Sequence, residues 1–381
     1  MSQKTAERIN DIINDVSNII KSKKYPDLPI DTNPPIGDFA LICFPAAKLA
    51  KKDPNTISED IGKELENEDF IMSAKNQKGY CNITIDWTKI CVDFVREMQQ
   101  DDYGKGNIEP ERILIEHTSA NPTGPLHVGH GRGAAYGATL SNLLRSVGFK
   151  VDNEYYVNDA GRQMDILTVS IYLRYLTHCG ENLRFPDNGY QGQYINDIAQ
   201  VIYENSGHEF FQNSDLLFES VSKDGLEGGD KEIHIDQLIE QSKSILGLSF
   251  QVILKVGIES ILSGIKNDLA EFGVVFEKWF SEQSLIDNGH SELCISKLKD
   301  SKNLYKKDGA LWFKTTKFGD EKDRVVVREN GNHTYFASDI AYHNEKLDRG
   351  YDKIINVWGA DHHGYIPRVK ASIDALGHNS N

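Results

Sequence analysis

The stretch from Arg112 to Val147 constrains the fold more than any other, because an apolar strand, a proline-containing loop and an amphipathic helix follow one another in it. Arg112-Ile113-Leu114-Ile115 is a continuous apolar run of the kind a buried parallel strand needs. Leu140, Leu143, Leu144 and Val147 recur at i, i+3, i+4 and i+7, which predicts a helix. Pro122, Gly124 and Pro125 force an irregular loop between the two. His127-Val128-Gly129-His130 then falls where the loop turns into the helix. A helix start offers free backbone N–H groups and a positive dipole end to a phosphate chain. Gly129 keeps a Cβ out of the way of a nucleotide. Imidazolium donors at His127 and His130 can stabilise charge that builds on an α-phosphate as pyrophosphate leaves.

Two other readings fit part of this segment. Gly129-His130-Gly131-Arg132-Gly133-Ala134 matches a dinucleotide-binding G-x-G-x-x-A, with Asp152 or Glu154 about twenty residues on as the ribose-binding acid, the site of an NAD-dependent oxidoreductase. That fingerprint follows its strand immediately, whereas here a proline-containing loop intervenes. A histidine pair at a helix start can also be a simple polar cap.

His127-Val128-Gly129-His130 resembles the signature of class I aminoacyl-tRNA synthetases. The wider string from Ser119 to Gly133, followed by Tyr155-Tyr156-Val157-Asn158-Asp159-Ala160-Gly161, is similar to bacterial arginyl-tRNA synthetases in particular. Asp308 to Phe313, Asp323 to Val327, Tyr335 to His343 and Gly359 to Gly364 follow in the order that family uses. The resemblance implies a class I synthetase Rossmann-like nucleotide-binding α/β fold with a helical connective insertion and a small N-terminal α/β domain. It implies activation of arginine by ATP, with Mg²⁺ accompanying the nucleotide, and transfer to the 2′-hydroxyl of the terminal adenosine of tRNA(Arg). A synthetase-like module that binds arginine or tRNA without catalysis is the alternative, and the intact histidine motif counts against it.

Composition bounds the rest. With 381 residues, 39% of them hydrophobic, the chain can form two or three domains with cores of their own. No run of eighteen apolar residues and no secretory pattern occurs, and five scattered cysteines show no C-x-x-C spacing, so a cytoplasmic protein without a metal site is expected. The formal charge of −15 is unlike that of a globally basic nucleic-acid binder. It is uneven: residues 201–300 hold 8 Lys and Arg against 18 acids, or −10, and residues 1–105 hold 14 against 18, or −4. Phosphate contacts are therefore sought in Lys21, Lys23, Lys24, Lys48, Lys51 and Lys52, for each of which a solvated helix face is the plainer role.

Four regions are expected. Residues 1–105 open with a helix marked by Ile9, Ile12, Ile13, Val16, Ile19 and Ile20. A second helix starts at a Thr56-Ile57-Ser58-Glu59 capping box, Asn82 to Asp86 alternates as a half-buried strand, and Asp101 to Gly106 is a linker. By resemblance this domain contacts the tRNA elbow. Residues 107–178 form the first half of the nucleotide fold, and residues 179–320 the connective insertion, with Gly225 to Asp230 as a mobile loop. Residues 321–381 begin the second half with the strand Val325 to Val327, then a helix over 337–348 and the strand Lys353 to Trp358.

The resemblance also assigns roles. Glu116, Tyr335 and Asp339 bind the guanidinium, as paired carboxylates would. Ser119 and Asn121 hold the amino acid's main-chain groups, His362 lies near the substrate, and His127, Gly129 and His130 serve ATP. Gly124 stands where some relatives carry a lysine, which implies reliance on a later Lys-Met-Ser-Lys type loop that does not occur before Asn381. A monomeric N-terminal portion of a longer enzyme, without its anticodon-binding domain and weak in turnover, is the expectation.

Overall fold

The computed structural model describes residues 3–22, 25, 28–100, 103 and 109–380, in two compact units, Met1–Asn107 and Ile108–Asn381. Lys23, Lys24 and all of the expected linker except Tyr103 lie outside the described residues.

The first unit contains α1 (Gln3–Ser22), β1 (Ile30–Asp31), β2 (Phe39–Ile42), α2 (Phe44–Ala50), α3 (Pro54–Leu65), β3 (Ile71–Gln77), β4 (Tyr80–Ile85) and α4 (Trp87–Met98). Its antiparallel sheet has the order β1-β2-β4-β3. Ile12, Val16 and Ile20 of α1 recur every four residues and are buried with Leu41, Ile57, Ile61, Leu65 and Ile83. The start of α3 differs from expectation. Asp53 is the cap, its carboxylate accepting from the Asn55 N–H at 2.8 Å, and Pro54 fills the first helical position. Thr56 to Glu59 therefore lies inside the helix rather than forming a capping box. Asn82 on β4 is buried beside Cys81 and Ile83, so that strand does not alternate cleanly.

The second unit runs β5 (Arg112–Glu116), α5 (Val128–Ser146), β6 (Lys150–Val157), α6 (Arg162–His178), α7 (Gln193–Ser206), α8 (Ser214–Phe218), α9 (Lys231–Leu246), α10 (Leu248–Glu271) and β7 (Lys278–Ser281). It continues with α11 (Gln283–Asp287), α12 (His290–Asp300), β8 (Leu304–Lys307), β9 (Ala310–Phe313), β10 (Arg324–Val327), α13 (Tyr335–Asp348), β11 (Lys353–Asn356) and α14 (Ile366–Ala375). A parallel sheet has the order β11-β5-β6-β7, with Ile113, Leu114 and Ile115 buried at its centre. Register sets Glu116 between Asn356 on one side and Glu154 on the other.

Two placements correct the expected division of the chain. Lys278–Ser281, inside the stretch assigned to the insertion, is the fourth strand of the parallel sheet. Arg324–Val327, expected to open the second half of the nucleotide fold, instead pairs antiparallel with β9 in a separate sheet of order β10-β9-β8. Its partner is the chain that precedes it closely in sequence, so no crossover is needed. Helices α6, α7, α9 and α10 share one large core. Among the described helices, α10 is the one long and apolar enough to cross a membrane, yet Phe250, Ile253, Ile261, Ile265 and Leu269 on it are buried in that core. The stretch from Gly225, expected to be mobile, forms a 3₁₀ turn over Gly225–Glu227, capped by the buried Asp224 carboxylate, which also accepts from the Asp187 N–H.

Candidate active site

The parallel sheet reverses its direction of growth at β5: β6 lies on one side and β11 on the other. Such a switch point leaves a crevice beyond the carboxyl ends of the two strands. A cavity of about 630 Å³ occupies it, lined among others by Thr118, Gly129, His130, Gly133, Asn356 and Trp358.

His127 is the N-cap of α5 and His130 its third helical residue. The His127 Nδ1 accepts from the Gly129 N–H at 3.1 Å, and the His130 Nδ1 accepts from the His127 N–H at 3.3 Å. The rings stack with centroids 3.6 Å apart. A neutral imidazole that accepts at Nδ1 carries its proton on Nε2, so each ring offers an Nε2–H donor. Burial first, and the neighbouring His127 second, hold His130 below the ordinary histidine range, which favours its neutral ring over the expected imidazolium. Gly129 has a local reason to lack a side chain: a Cβ there would lie 2.9 Å from the His127 ring.

Beyond β5 the backbone enters the left-handed region at Thr118 (φ 68°) and Ser119 (φ 41°), costing on the order of 1–3 kcal/mol each. Side chains hold it there. The Ser119 hydroxyl donates to Glu116 at 3.1 Å and accepts from the Tyr156 N–H at 3.1 Å. Glu116 is buried and paired with the Lys346 ammonium, which also donates to the Asn356 amide oxygen at 2.8 Å. Burial alone would raise the Glu116 carboxyl, but the Lys346 and His343 fields and the Ser119 hydroxyl together hold it below the ordinary range.

Tyr335 and Asp339 begin α13, one turn apart, behind the cap residue Thr334. Burial, then the charge of Glu116, pushes the Asp339 carboxyl up to about 6, against the pull of Arg368, His362 and Lys346. His343, pushed down to about 4 by burial, links the Asp339 carbonyl (2.8 Å) to the Asn356 amide (3.1 Å).

Glu116, Ser119 and Asp339 thus fall within one polar network, and His127, Gly129 and His130 form one cap beside the crevice. Tyr335 is 62% exposed and lines a second cavity, about 440 Å³, with Gly161, Glu282, Arg328 and Ser338. Asn121 is exposed and donates to Gln163 at 2.9 Å, away from the Glu116 network. His362 is exposed in the turn after β11, its ring against Trp358 and Tyr365. Sequence reasoning missed Lys346, Asn356, Gln163 and Glu282. The signal for Lys346 was a lysine two turns after Asp339 on the inner face of an amphipathic helix.

Comparison with known proteins adds family to geometry. The family model described as tRNA synthetases class I (R), catalytic domain, matches residues 95–380, and that of the arginyl tRNA synthetase N terminal domain matches residues 3–85. An arginine–tRNA ligase of Hydrogenovibrio crunogenus is 51% identical over 354 residues, 90% of this chain and 60% of the relative. One from Vesicomyosocius okutanii is 58% identical over 284 residues, 74% of this chain and 48% of the relative. The chain therefore spans about half to three-fifths of the length of these curated relatives. The crystal structure of an assigned arginyl-tRNA synthetase from Campylobacter jejuni superposes with a TM-score of 0.63 at 37% identity, over 77% of this chain and 57% of that one. The Thermus thermophilus arginyl-tRNA synthetase shares the fold, with a TM-score of 0.52 at 20% identity over 97% of this chain and 63% of that one.

Proposed function

The chain belongs to the arginyl-tRNA synthetase family of class I aminoacyl-tRNA synthetases, and from that premise we propose that it serves an arginine–tRNA ligase that forms arginyl-adenylate and esterifies tRNA(Arg). The observation that carries this reading is the crevice at the sheet's switch point, lined by His130, whose ring stacks on His127, and by Asn356, which accepts from the Lys346 ammonium paired with Glu116.

In this reading ATP lies along the start of α5, its phosphates toward the free N–H groups there. Arginine's guanidinium meets Asp339 and Glu116, with Tyr335 at the pocket rim, while Ser119 and Asn121 hold the amino acid's main-chain groups and His362 borders it. The arginine carboxylate attacks the α-phosphate and pyrophosphate departs. The two Nε2–H donors stabilise charge on the transferring phosphoryl group, and catalysis is positioning and charge stabilisation without a covalent enzyme intermediate. Mg²⁺ would arrive with the phosphates and neutralise part of their charge. The terminal adenosine 2′-hydroxyl of tRNA(Arg) then takes the arginyl group, and AMP leaves. The N-terminal unit contacts the tRNA elbow and the helices between β6 and β7 guide the acceptor end, in a monomer working in the cytoplasm.

The test is thermal stabilisation by a nonhydrolysable arginyl-adenylate analogue, with the lysyl analogue and NAD as controls. A ligand at a hundred times its Kd stabilises by about 2.7 kcal/mol, so selective binding gives a clear rise in Tm. A shift with NAD alone, or equal shifts with the arginyl and lysyl compounds, overturns the reading.

A further inference from the structure

Lys346 is fully buried, yet it is a lysine, a residue almost never enclosed unless paired. Its ammonium pairs with Glu116, donates to Asn356 at 2.8 Å and lies 4.0 Å from the centre of the Tyr342 ring. A buried ion pair adds little stability over an apolar pair of the same volume, so stability alone does not explain why one stands here. Asp339 and Lys346 lie seven residues apart on α13, two turns, and so share a helix face.

We infer that Lys346 is a positioning residue of the arginine site, one that fixes Glu116 against the sheet and compensates its charge so that Glu116 and Asp339 together can meet one guanidinium. The inference rests on the reading of the site given above. Two carboxylates confined together do not both ionise without a nearby cation. Among these three groups, Lys346 at +1 offsets one carboxylate and leaves −1, the charge that complements one guanidinium, while Arg368 also acts on Asp339. The Glu116 carboxylate has about four lone-pair positions, of which Lys346 and Ser119 take one each. The Asp339 carboxyl, raised by burial first and by Glu116 second, is lowered in turn by Arg368, His362 and Lys346.

The test is a double-variant cycle on the full chain, Lys346→Met, Glu116→Gln and the pair, read by calorimetric titration with arginine and separately with a nonhydrolysable ATP analogue. Lys346→Met should weaken arginine about tenfold or more and the ATP analogue less than about threefold, and adding Glu116→Gln should return arginine binding to within about threefold of Glu116→Gln alone. A purely structural lysine predicts equal loss of both ligands and no relief from the second change. That pattern overturns the inference, as does arginine binding by Lys346→Met within about threefold of the unaltered protein. Should Lys346→Met not fold, the comparison of the double variant with Glu116→Gln decides: similar arginine affinity supports the inference and a further tenfold loss, roughly, overturns it. An unaltered chain that binds the ATP analogue but not arginine removes the arginine reading of the site, and this inference with it.

Discussion

His127 and His130 stack with ring centroids 3.6 Å apart and planes 16° apart because each uses Nδ1 to accept a backbone N–H at the start of α5. The capping bonds of the helix therefore set the donor face of both rings. Replacing either histidine by alanine should lower arginine activation on the order of 10²-fold, the usual loss for one donor to a developing oxyanion. Arginine affinity should stay within about twofold, because neither ring belongs to the Glu116 network. Arginine-dependent ATP–pyrophosphate exchange and calorimetry read the two effects separately, and a parallel loss of arginine affinity would contradict this division of roles.

If Asp339 meets the guanidinium as proposed, arginine binding should depend on pH. The Asp339 carboxyl is pushed up to about 6, and a paired contact to a guanidinium needs the carboxylate. Protonation takes over as pH falls below 6, so arginine affinity should be flat above pH 7 and fall toward about tenfold per unit below pH 6. Asp339→Asn should bind arginine about a hundredfold more weakly, without a pH inflection near 6. Titration between pH 5 and 8 checks both, and an inflection that persists in the variant would move the effect to another group, such as the buried Glu282, whose carboxyl is pushed up to about 7.

The central strand, the loop and the helix start were legible because local pattern alone dictates them: an apolar run, two prolines and a histidine cap act over a few residues. The strand Lys278–Ser281 was not, since its partner β6 lies across four long helices and its half-buried pattern carries no apolar run. Val325 to Val327 was expected to begin the second half of the nucleotide fold, but three valines cannot say which sheet they join. In the site, Glu116 and Asp339 were visible as candidate carboxylates, while the pairing of Glu116 with Lys346 depends on α13 folding back over β5, a long-range contact that no spacing encodes. Gly129 was read for the nucleotide alone, although its own cap already leaves no space for a Cβ.

Glu282 stores a stability cost that pH should reveal. Burial first, then the charges of Asp339 and Asp159, pushes its carboxyl up to about 7, against hydrogen bonds from Tyr156 and Ser338. The folded state thus holds a proton that the unfolded chain has already lost, so this contribution is present below the ordinary glutamate range and lost as pH rises through 7. Glu282→Gln should therefore be more stable than the unaltered chain at pH 8 by about 1–3 kcal/mol, with the advantage gone at pH 4. Urea unfolding at the two pH values measures it; equal differences at both would mean that Glu282 is not the titrating group.

With ATP placed as proposed, Gly133 should separate folding from nucleotide binding. It lies inside α5, where alanine is favoured over glycine by about 0.8–1 kcal/mol. A Cβ there would find its nearest neighbour, the Thr118 Cα, at 4.0 Å, so the fold has room for it. The same position lines the crevice cavity, which means the new methyl group would take space proposed for ATP. Gly133→Ala should raise Tm by a few degrees while weakening a nonhydrolysable ATP analogue about tenfold or more, since a clash in a pocket of fixed shape is not relieved by repacking. Gly137→Ala supplies the contrast: its Cβ would fall 2.1 Å from the buried His117 ring, so there the loss should appear in Tm itself. If Gly133→Ala gained stability and still bound the ATP analogue as tightly as before, the nucleotide would have to lie elsewhere in the molecule.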